Sequence, residues 1–405
     1  MIAEIKFKNL FSFRDEAVFS FEADKSKEME SYHVVEIVPG VRLLKLAVMY
    51  GANASGKSNF IKVCEFIKSF ISRTASNKGE DTGAIPFLMN TNSPQETSDV
   101  SVTFYMTKAD LPPVKFVYTL SLTRAYIHKE SLSYYSSQQP TTVFERSIED
   151  GVSTIKFGSK IKLSAAAKEE ISLRCLPNMS VCAAYMQVNV NIPEIEDVLL
   201  YFKDRIMATV NRSSAIEYSS YTKLADNTNK NYILKYLQQA DFNIDDIATN
   251  DEGPVHESFF PIEPIFQHKV SDKEGREFIY GFPASSESEG TLRTMGLAGC
   301  IQETIESNAF LAVDEIESSL HPRLIEYIIE RFLKESEQAQ LLVTTHYDGL
   351  LAQDDLLRTD NIWFTEKNSD GATVLYPLTD FKGLNRISSL QKAYRFGKFG
   401  AIPNI

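Results

Sequence analysis

Leu43-Leu44-Lys45-Leu46-Ala47-Val48-Met49-Tyr50 runs with one polar break into Gly51-Ala52-Asn53-Ala54-Ser55-Gly56-Lys57-Ser58. A nearly continuous apolar run predicts a central strand buried on both faces. After Ser58, residues Phe60, Ile61, Val63, Cys64 and Ile67 fall on one face of a predicted helix. Between strand and helix stands the GxxxxGK[ST] spacing of a phosphate-binding loop. Its glycines let the backbone close around an anion. The amides at the start of the next helix then point inward, where the helix dipole favours negative charge. Lys57 is expected to reach the β- and γ-phosphates of a nucleotide, and the Ser58 hydroxyl to ligate Mg²⁺. Gly51, Asn53, Ser55, Gly56 and Asn59 complete the predicted binding loop.

Three further motifs follow in the last third of the chain. Phe310-Leu311-Ala312-Val313-Asp314-Glu315 is an apolar strand ending in two carboxylates. Asp314 is expected to hold the Mg²⁺, and Glu315 to orient and deprotonate the attacking water. Leu341-Leu342-Val343-Thr344-Thr345-His346 ends the next predicted strand, which places His346 where it can contact the γ-phosphate or that water. An amphipathic helix from about Pro322 to Lys334 lies between them, giving a βαβ unit. Glu287-Ser288-Glu289-Gly290-Thr291 precedes a helix from Leu292 to about Glu306. Alone it reads as an ordinary N-cap with acidic first-turn residues. Because the first loop already holds phosphates, Ser288 and Gly290 make functional sense as a second anion site for a nucleotide on another subunit.

The rest of the chain supplies the frame. Ile5 and Phe7 alternate with Lys6 and Lys8, and Val18-Phe19-Ser20-Phe21 is a second short strand candidate. Residues 73–98 are rich in Ser, Thr, Asn, Gly and Pro and read as surface loop. Val100–Phe104, Val114–Tyr118 and Thr142–Phe144 predict an antiparallel β-subdomain. Helical spacing returns at Ile195, Val198, Leu199, Phe202 and Ile206, and at Tyr232, Ile233, Tyr236 and Leu237. The expected organisation is a first part of the head at 1–164, a helical insertion at 165–250 and a second part at 251–405. No heptads are sustained in the insertion, so it is not a long coiled-coil arm.

With 43% hydrophobic and 24% charged residues among 405, the chain can bury a real core. It has no apolar run of membrane-spanning length and no apolar signal core, which predicts a cytoplasmic protein. Cys64, Cys175, Cys182 and Cys300 form no CxxC pair and are expected to be free thiols. The formal net charge of -12 gives no support for nucleic-acid binding. It leaves that partner open only through a local basic face, for which the tail residues Lys392, Arg395 and Lys398 among Tyr394, Phe396 and Phe399 are the candidates.

The order of the four motifs resembles the ABC-type ATPases, in the branch of RecF, the structural-maintenance-of-chromosomes heads and the overcoming-lysogenization-defect nucleases. Asn59 after Gly-Lys-Ser is usual there. Ser288 and Gly290 stand where that branch has its signature loop, and Ser318-Ser319-Leu320-His321-Pro322 where it has its D-loop. Asn9–Phe13, Ala240-Asp241-Phe242-Asn243-Ile244, Glu317–Pro322 and the tail Ala393–Pro403 look like the AAA-type ATPases of bacterial anti-phage, abortive-infection operons, often encoded beside an RloB-like effector. The resemblance implies an α/β P-loop head with a mixed central sheet flanked by helices, binding ATP and Mg²⁺ and hydrolysing the ATP. It implies a homodimer or higher even oligomer with ATP sandwiched between subunits, and a separate effector protein. A RecF-like DNA-repair clamp is the alternative. Two departures stand out: the signature reads Ser-Glu-Gly-Thr, and Gln95 is a poor match to the family's Q-loop glutamine. Fewer than 60 residues follow His346, too few for a nuclease domain after the head.

Overall fold

The strand Leu46–Tyr50 is buried along its whole length and pairs in parallel on both sides, with Gln340–Thr345 and with Ile362–Lys367. The computed structural model that places it describes residues 1–108, 111–149, 152–240, 243–249 and 264–403. Phe310–Val313 adds in parallel beyond Gln340–Thr345, and Thr373–Pro377 closes the other edge antiparallel to Ile362–Lys367. The mixed α/β sheet expected from the motif order is therefore present. Outside Phe310–Val313, an extended segment forms parallel bridges from Ile206 to Phe310 and from Val210 to Val313.

Successive residues on these strands face opposite cores. Ala47, Met49, Phe310, Ala312, Leu342 and Trp363 belong to one, shared with the helix Lys57–Ser72 and an antiparallel sheet. Leu46, Val48, Tyr50, Leu311, Val343 and Phe364 belong to the other, under the helices Glu289–Glu306 and Pro322–Glu335. Among the described residues the antiparallel sheet has seven strands, running Val152–Phe157, Thr141–Glu149, Ile127–Tyr135, Leu111–Leu122, Ser98–Lys108, Ile2–Lys8 and Ala17–Ser20. The expected β-subdomain and the N-terminal strands are thus one sheet.

One expectation is corrected. The run Leu43–Tyr50 is not one strand. Val41–Leu44 pairs antiparallel with Val34–Val38 in a separate ribbon, and the core strand starts at Leu46. Lys45 sits at the break. Its buried ammonium donates to the Leu333 carbonyl (3.3 Å) and the Ser336 carbonyl (2.5 Å) at the end of the helix Pro322–Glu335. A cation there satisfies carbonyls that the helix leaves unpaired and complements its dipole. The lysine noted inside the run was the signal of this change of sheet.

Helices recur through residues 165–239, interrupted by the extended segment at Ile206–Val210. Ala165–Arg174, Val181–Tyr185 and Pro193–Asp204 contribute to the core around the helix Lys57–Ser72, whereas Glu217–Tyr221 and Asn227–Gln239 pack in the core of Glu289–Glu306. Ile244–Thr249, Pro264–Ser271 and Glu277–Pro283 then form a three-stranded antiparallel sheet leading to Ser288. Asp241, Phe242 and the expected boundary at 250/251 lie outside the described residues. The 73–98 segment is largely loop and Gln95 is exposed, but Thr82, Ala84 and Phe87 are buried. All four cysteines are free thiols.

A buried ion pair ties the antiparallel sheet to this helical layer. Glu130 and Arg146 are fully enclosed and 3.4 Å apart. Glu130 also accepts from the Tyr118 hydroxyl and the Val181 amide, and Arg146 donates to the carbonyls of Leu176 and Met179. Desolvation, partly offset by Arg146, pushes the Glu130 carboxyl upward. Removing one partner of such a pair leaves a bare buried charge, at a cost of about 3–5 kcal/mol. Glu130→Ala should lower stability by that order in urea unfolding, and adding Arg146→Met should restore part of it. A double variant no more stable than Glu130→Ala would contradict this account.

Candidate functional site

The tips of four parallel strands converge on the loop Gly51–Ser58. Its conformation leaves no room for side chains at two glycines. A Cβ on Gly51 would lie 2.5 Å from Thr365 Oγ1, and one on Gly56 (φ 118°) would lie 2.3 Å from Thr373 Oγ1. The loop is clamped from behind by hydroxyls. Ser55 Oγ and Thr365 Oγ1 are 2.7 Å apart, Thr373 Oγ1 donates to the Ser55 carbonyl (2.8 Å), and Ser12 Oγ is 2.8 Å from Thr373 Oγ1. Ala54 takes a left-handed φ of 59°. Asn53 and Ser58 are exposed, and Asn59 is half-buried.

Lys57 reaches back into this ring. Its Nζ donates to the carbonyls of Gly51 (2.9 Å) and Ala52 (3.3 Å) and lies 2.9 Å from His346 Nε2. Burial lowers the Lys57 pKa to about 8, against the pull of the Glu317, Asp314 and Glu315 carboxylates. Burial, and then the Lys57 charge, push His346 below the ordinary histidine value. Both shifts describe a cation and an imidazole held close in a partly dehydrated pocket.

One hydroxyl organises the carboxylates. Thr344 Oγ1 donates to Asp314 Oδ1 (2.5 Å) and accepts from the Glu315 amide (2.9 Å). Glu315 is held at a φ of 49°, where non-glycine backbones are rare. Glu317 Oε1 accepts from the His346 amide (2.6 Å), while its buried Oε2 has no hydrogen-bond partner among the described residues. A glycine loop with no room for side chains at Gly51 and Gly56, a buried lysine, an exposed Ser58, a carboxylate at Asp314 and the unpaired Glu317 oxygen form a set of groups that fits a nucleotide phosphate with Mg²⁺.

Ser288 and Gly290 lie in a different group. Ser288 caps the helix Glu289–Glu306, accepting from the Thr291 amide (3.0 Å). A Cβ on Gly290 would stand 2.9 Å from the Ser319 carbonyl, so the turn at Ser288–Gly290 and the loop carrying Ser319 are in contact. Among the described residues no hydrogen bond joins this pair to Gly51–Ser58 of the same chain. Glu289, the unusual carboxylate of the turn, is exposed.

A family model described as "AAA domain, putative AbiEii toxin, Type IV TA system" matches residues 46–171 and 198–352, more than half of the chain. The chain belongs to this AAA-domain family. Its P-loop is accordingly a nucleotide-binding loop. Solved structures similar to this AAA domain include an Smc head bound to the C-terminal winged-helix domain of ScpA (14% identity, 97% of this chain and 99% of that one, TM-score 0.45). Two others are an SMC head domain from Thermotoga maritima (14% identity, 93% and 98%, TM-score 0.39) and an Smc head with an extended coiled coil, bound to the C-terminal domain of ScpA, derived from Pyrococcus furiosus (13% identity, 98% and 98%, TM-score 0.43). No curated protein matches the sequence. No helix among the described residues of the AAA domain is long and apolar enough to cross a membrane.

Sequence reasoning missed Thr344, Glu317, Thr365 and Thr373. Thr344 and Glu317 had a local signal, one two residues before His346 and the other two after Glu315, where Glu317–Pro322 entered only through its resemblance. Thr365 and Thr373 reach the loop through tertiary pairing.

His346 accepts from Lys57 only with Nε2 unprotonated. Its lowered pKa means that the contact is kept at neutral pH and lost as pH falls through that value. Imidazole NMR titration should therefore give a midpoint below 6.5, and Lys57→Met, which removes the neighbouring charge, should move it up. A midpoint unmoved by Lys57→Met would remove this coupling.

Proposed function

We propose that this chain is a Mg²⁺-dependent ATPase that works as a homodimer and serves as the sensor subunit of an anti-phage system, controlling a separate effector. The observation that carries the ATPase reading is the convergence of Lys57, Asp314, Glu315 and His346 at adjacent strand tips, with Thr344 bonded to both carboxylate positions. In this reading the loop amides and Lys57 hold the β- and γ-phosphates. Ser58 and Asp314 hold Mg²⁺, which when bound neutralises phosphate charge. Glu315 takes a proton from the attacking water, and its left-handed backbone, fixed through Thr344, aims the carboxylate. His346 lies next to Lys57 and reports on the phosphate that Lys57 contacts.

The dimer reading is supported by the position of Ser288 and Gly290, which gather with Ser319 and share no hydrogen bond with their own P-loop. Placed across an interface, this helix N-terminus would cap the partner's γ-phosphate. ATP would then favour the closed pair only through contacts absent from the open one. The defence role rests on the family's description, which names a toxin–antitoxin system, and on the resemblance of the tail and D-loop to operon ATPases. In the basic-aromatic tail, the segment open to the DNA-clamp alternative, Tyr394 and Phe399 are buried whereas Lys392, Arg395, Phe396 and Lys398 are exposed, so duplex DNA binding stays the measurement that separates the two readings.

The test is the mass in solution with and without ATP and Mg²⁺, combined with turnover. ATP should drive dimers that Glu315→Gln locks and Ser288→Arg prevents. Glu315→Gln should lower turnover by about a hundredfold or more, the usual contribution of a general base. Turnover that survives Glu315→Gln would exclude the assigned base. A mass indifferent to ATP, with Ser288→Arg turning over normally, would exclude the composite site.

A further inference from the structure

We propose that the C-terminal tail completes the nucleotide site and that Arg395 contacts the terminal phosphate of a bound nucleoside triphosphate from within the same chain. The inference rests on the nucleotide reading above and adds a residue to it that none of the four motifs contains.

A cleft of about 640 Å³ opens beside the P-loop, lined by Gly51–Asn53, His346, Asp348, Arg395 and Ile402 among others. The tail reaches this position as a packed structure. The helix Leu390–Arg395 lays Tyr394 on Tyr50 (centroids 5.6 Å), the last residue of its core strand, and on Phe364 (5.7 Å) in the neighbouring strand. The Tyr394 hydroxyl donates to the Ala401 carbonyl (3.0 Å), and the Tyr376 hydroxyl to the Phe399 carbonyl (2.9 Å). Gly397, Gly400 and Ala401, at φ values of 72°, 64° and 58°, fold the chain back over the sheet. The backbone that carries Arg395 is therefore anchored by buried aromatic contacts on both sides.

Its guanidinium is not buried. The side chain is 61% exposed, and its only ion pair among the described residues is with Asp348, where Nε and Nη2 reach the two carboxylate oxygens at 2.5 and 2.9 Å. Asp348 stands two residues after His346 and also lines the cleft. The planar fork of arginine suits phosphate as well as carboxylate, since both accept two parallel N–H bonds. His346, which lines the cleft, lies 2.9 Å from Lys57, the residue that in the reading above contacts the terminal phosphate. Asp348 thus parks the fork in the same cleft, and a terminal phosphate would compete for it. Arg395 would thereby discriminate a triphosphate from a diphosphate, and the tail would sense which is bound.

The experiment measures ATP and ADP affinities of the full chain with Mg²⁺, by displacement of a fluorescent nucleotide. Wild type, Arg395→Ala, Arg395→Lys and Asp348→Asn are compared, with thermal melting as the check of folding. Arg395→Ala should weaken ATP about tenfold or more, the scale of a hydrogen bond to a charged group, and leave ADP within about twofold. Arg395→Lys, which keeps the charge and loses the fork, should fall between Arg395→Ala and wild type. Asp348→Asn, which frees the guanidinium, should bind ATP at least as well as wild type. Unchanged ATP affinity in Arg395→Ala, or equal losses of ATP and ADP, would overturn the proposal. So would an Asp348→Asn protein that reproduces the Arg395→Ala loss, because the pair would then only pin the tail. A wild-type chain that binds neither nucleotide would overturn the ATPase reading itself, a result distinct from each of these.

Discussion

The parallel pairing of Leu46–Tyr50 with Gln340–Thr345 is the contact on which the site depends. It joins segments nearly 300 residues apart in register, Thr345 opposite Tyr50. That register sets His346 beside Gly51 and brings its imidazole to Lys57. A slip of one residue would turn every side chain of the strand to the other core. Leu341 and Val343 would then face the layer built for Leu342, so burial on both faces enforces the register.

Around this pairing, small hydroxyl side chains do the positioning. Thr344 fixes both carboxylate positions, Thr365 and Thr373 brace the P-loop, and Ser12 links that brace to the N-terminal segment. Each is held by a neighbouring strand and so carries little conformational freedom. Backbone strain collects at the same places. Ala54 in the P-loop, and Glu315 and Ser319 in the loop between Phe310–Val313 and Pro322–Glu335, all take left-handed φ values. Such conformations persist only where surrounding bonds over-determine them. For Glu315 the determining bonds are visible in the Thr344 hydroxyl and in the Ile316 amide on the Thr344 carbonyl.

The sequence by itself determined the strand–loop–helix around Lys57, the βαβ unit that carries Asp314, Glu315 and His346, and the N-cap at Ser288. In each case the cause is local. Apolar periodicity chooses the element, and glycine or a capping serine chooses where it ends. What only the tertiary structure decided is which elements meet. The run Leu43–Tyr50 divides at Lys45 because a helix end nearly 290 residues later supplies the carbonyls that a buried ammonium needs. The tail reads in sequence as a basic-aromatic segment open to a partner, yet Tyr394 and Phe399 bury against Tyr50 and Phe364, and Arg395 lines a cleft that Gly51–Asn53 also line. Apolar pattern says that a side chain will be buried but not against what, because burial is non-directional and the partner is chosen by the packing of the whole chain.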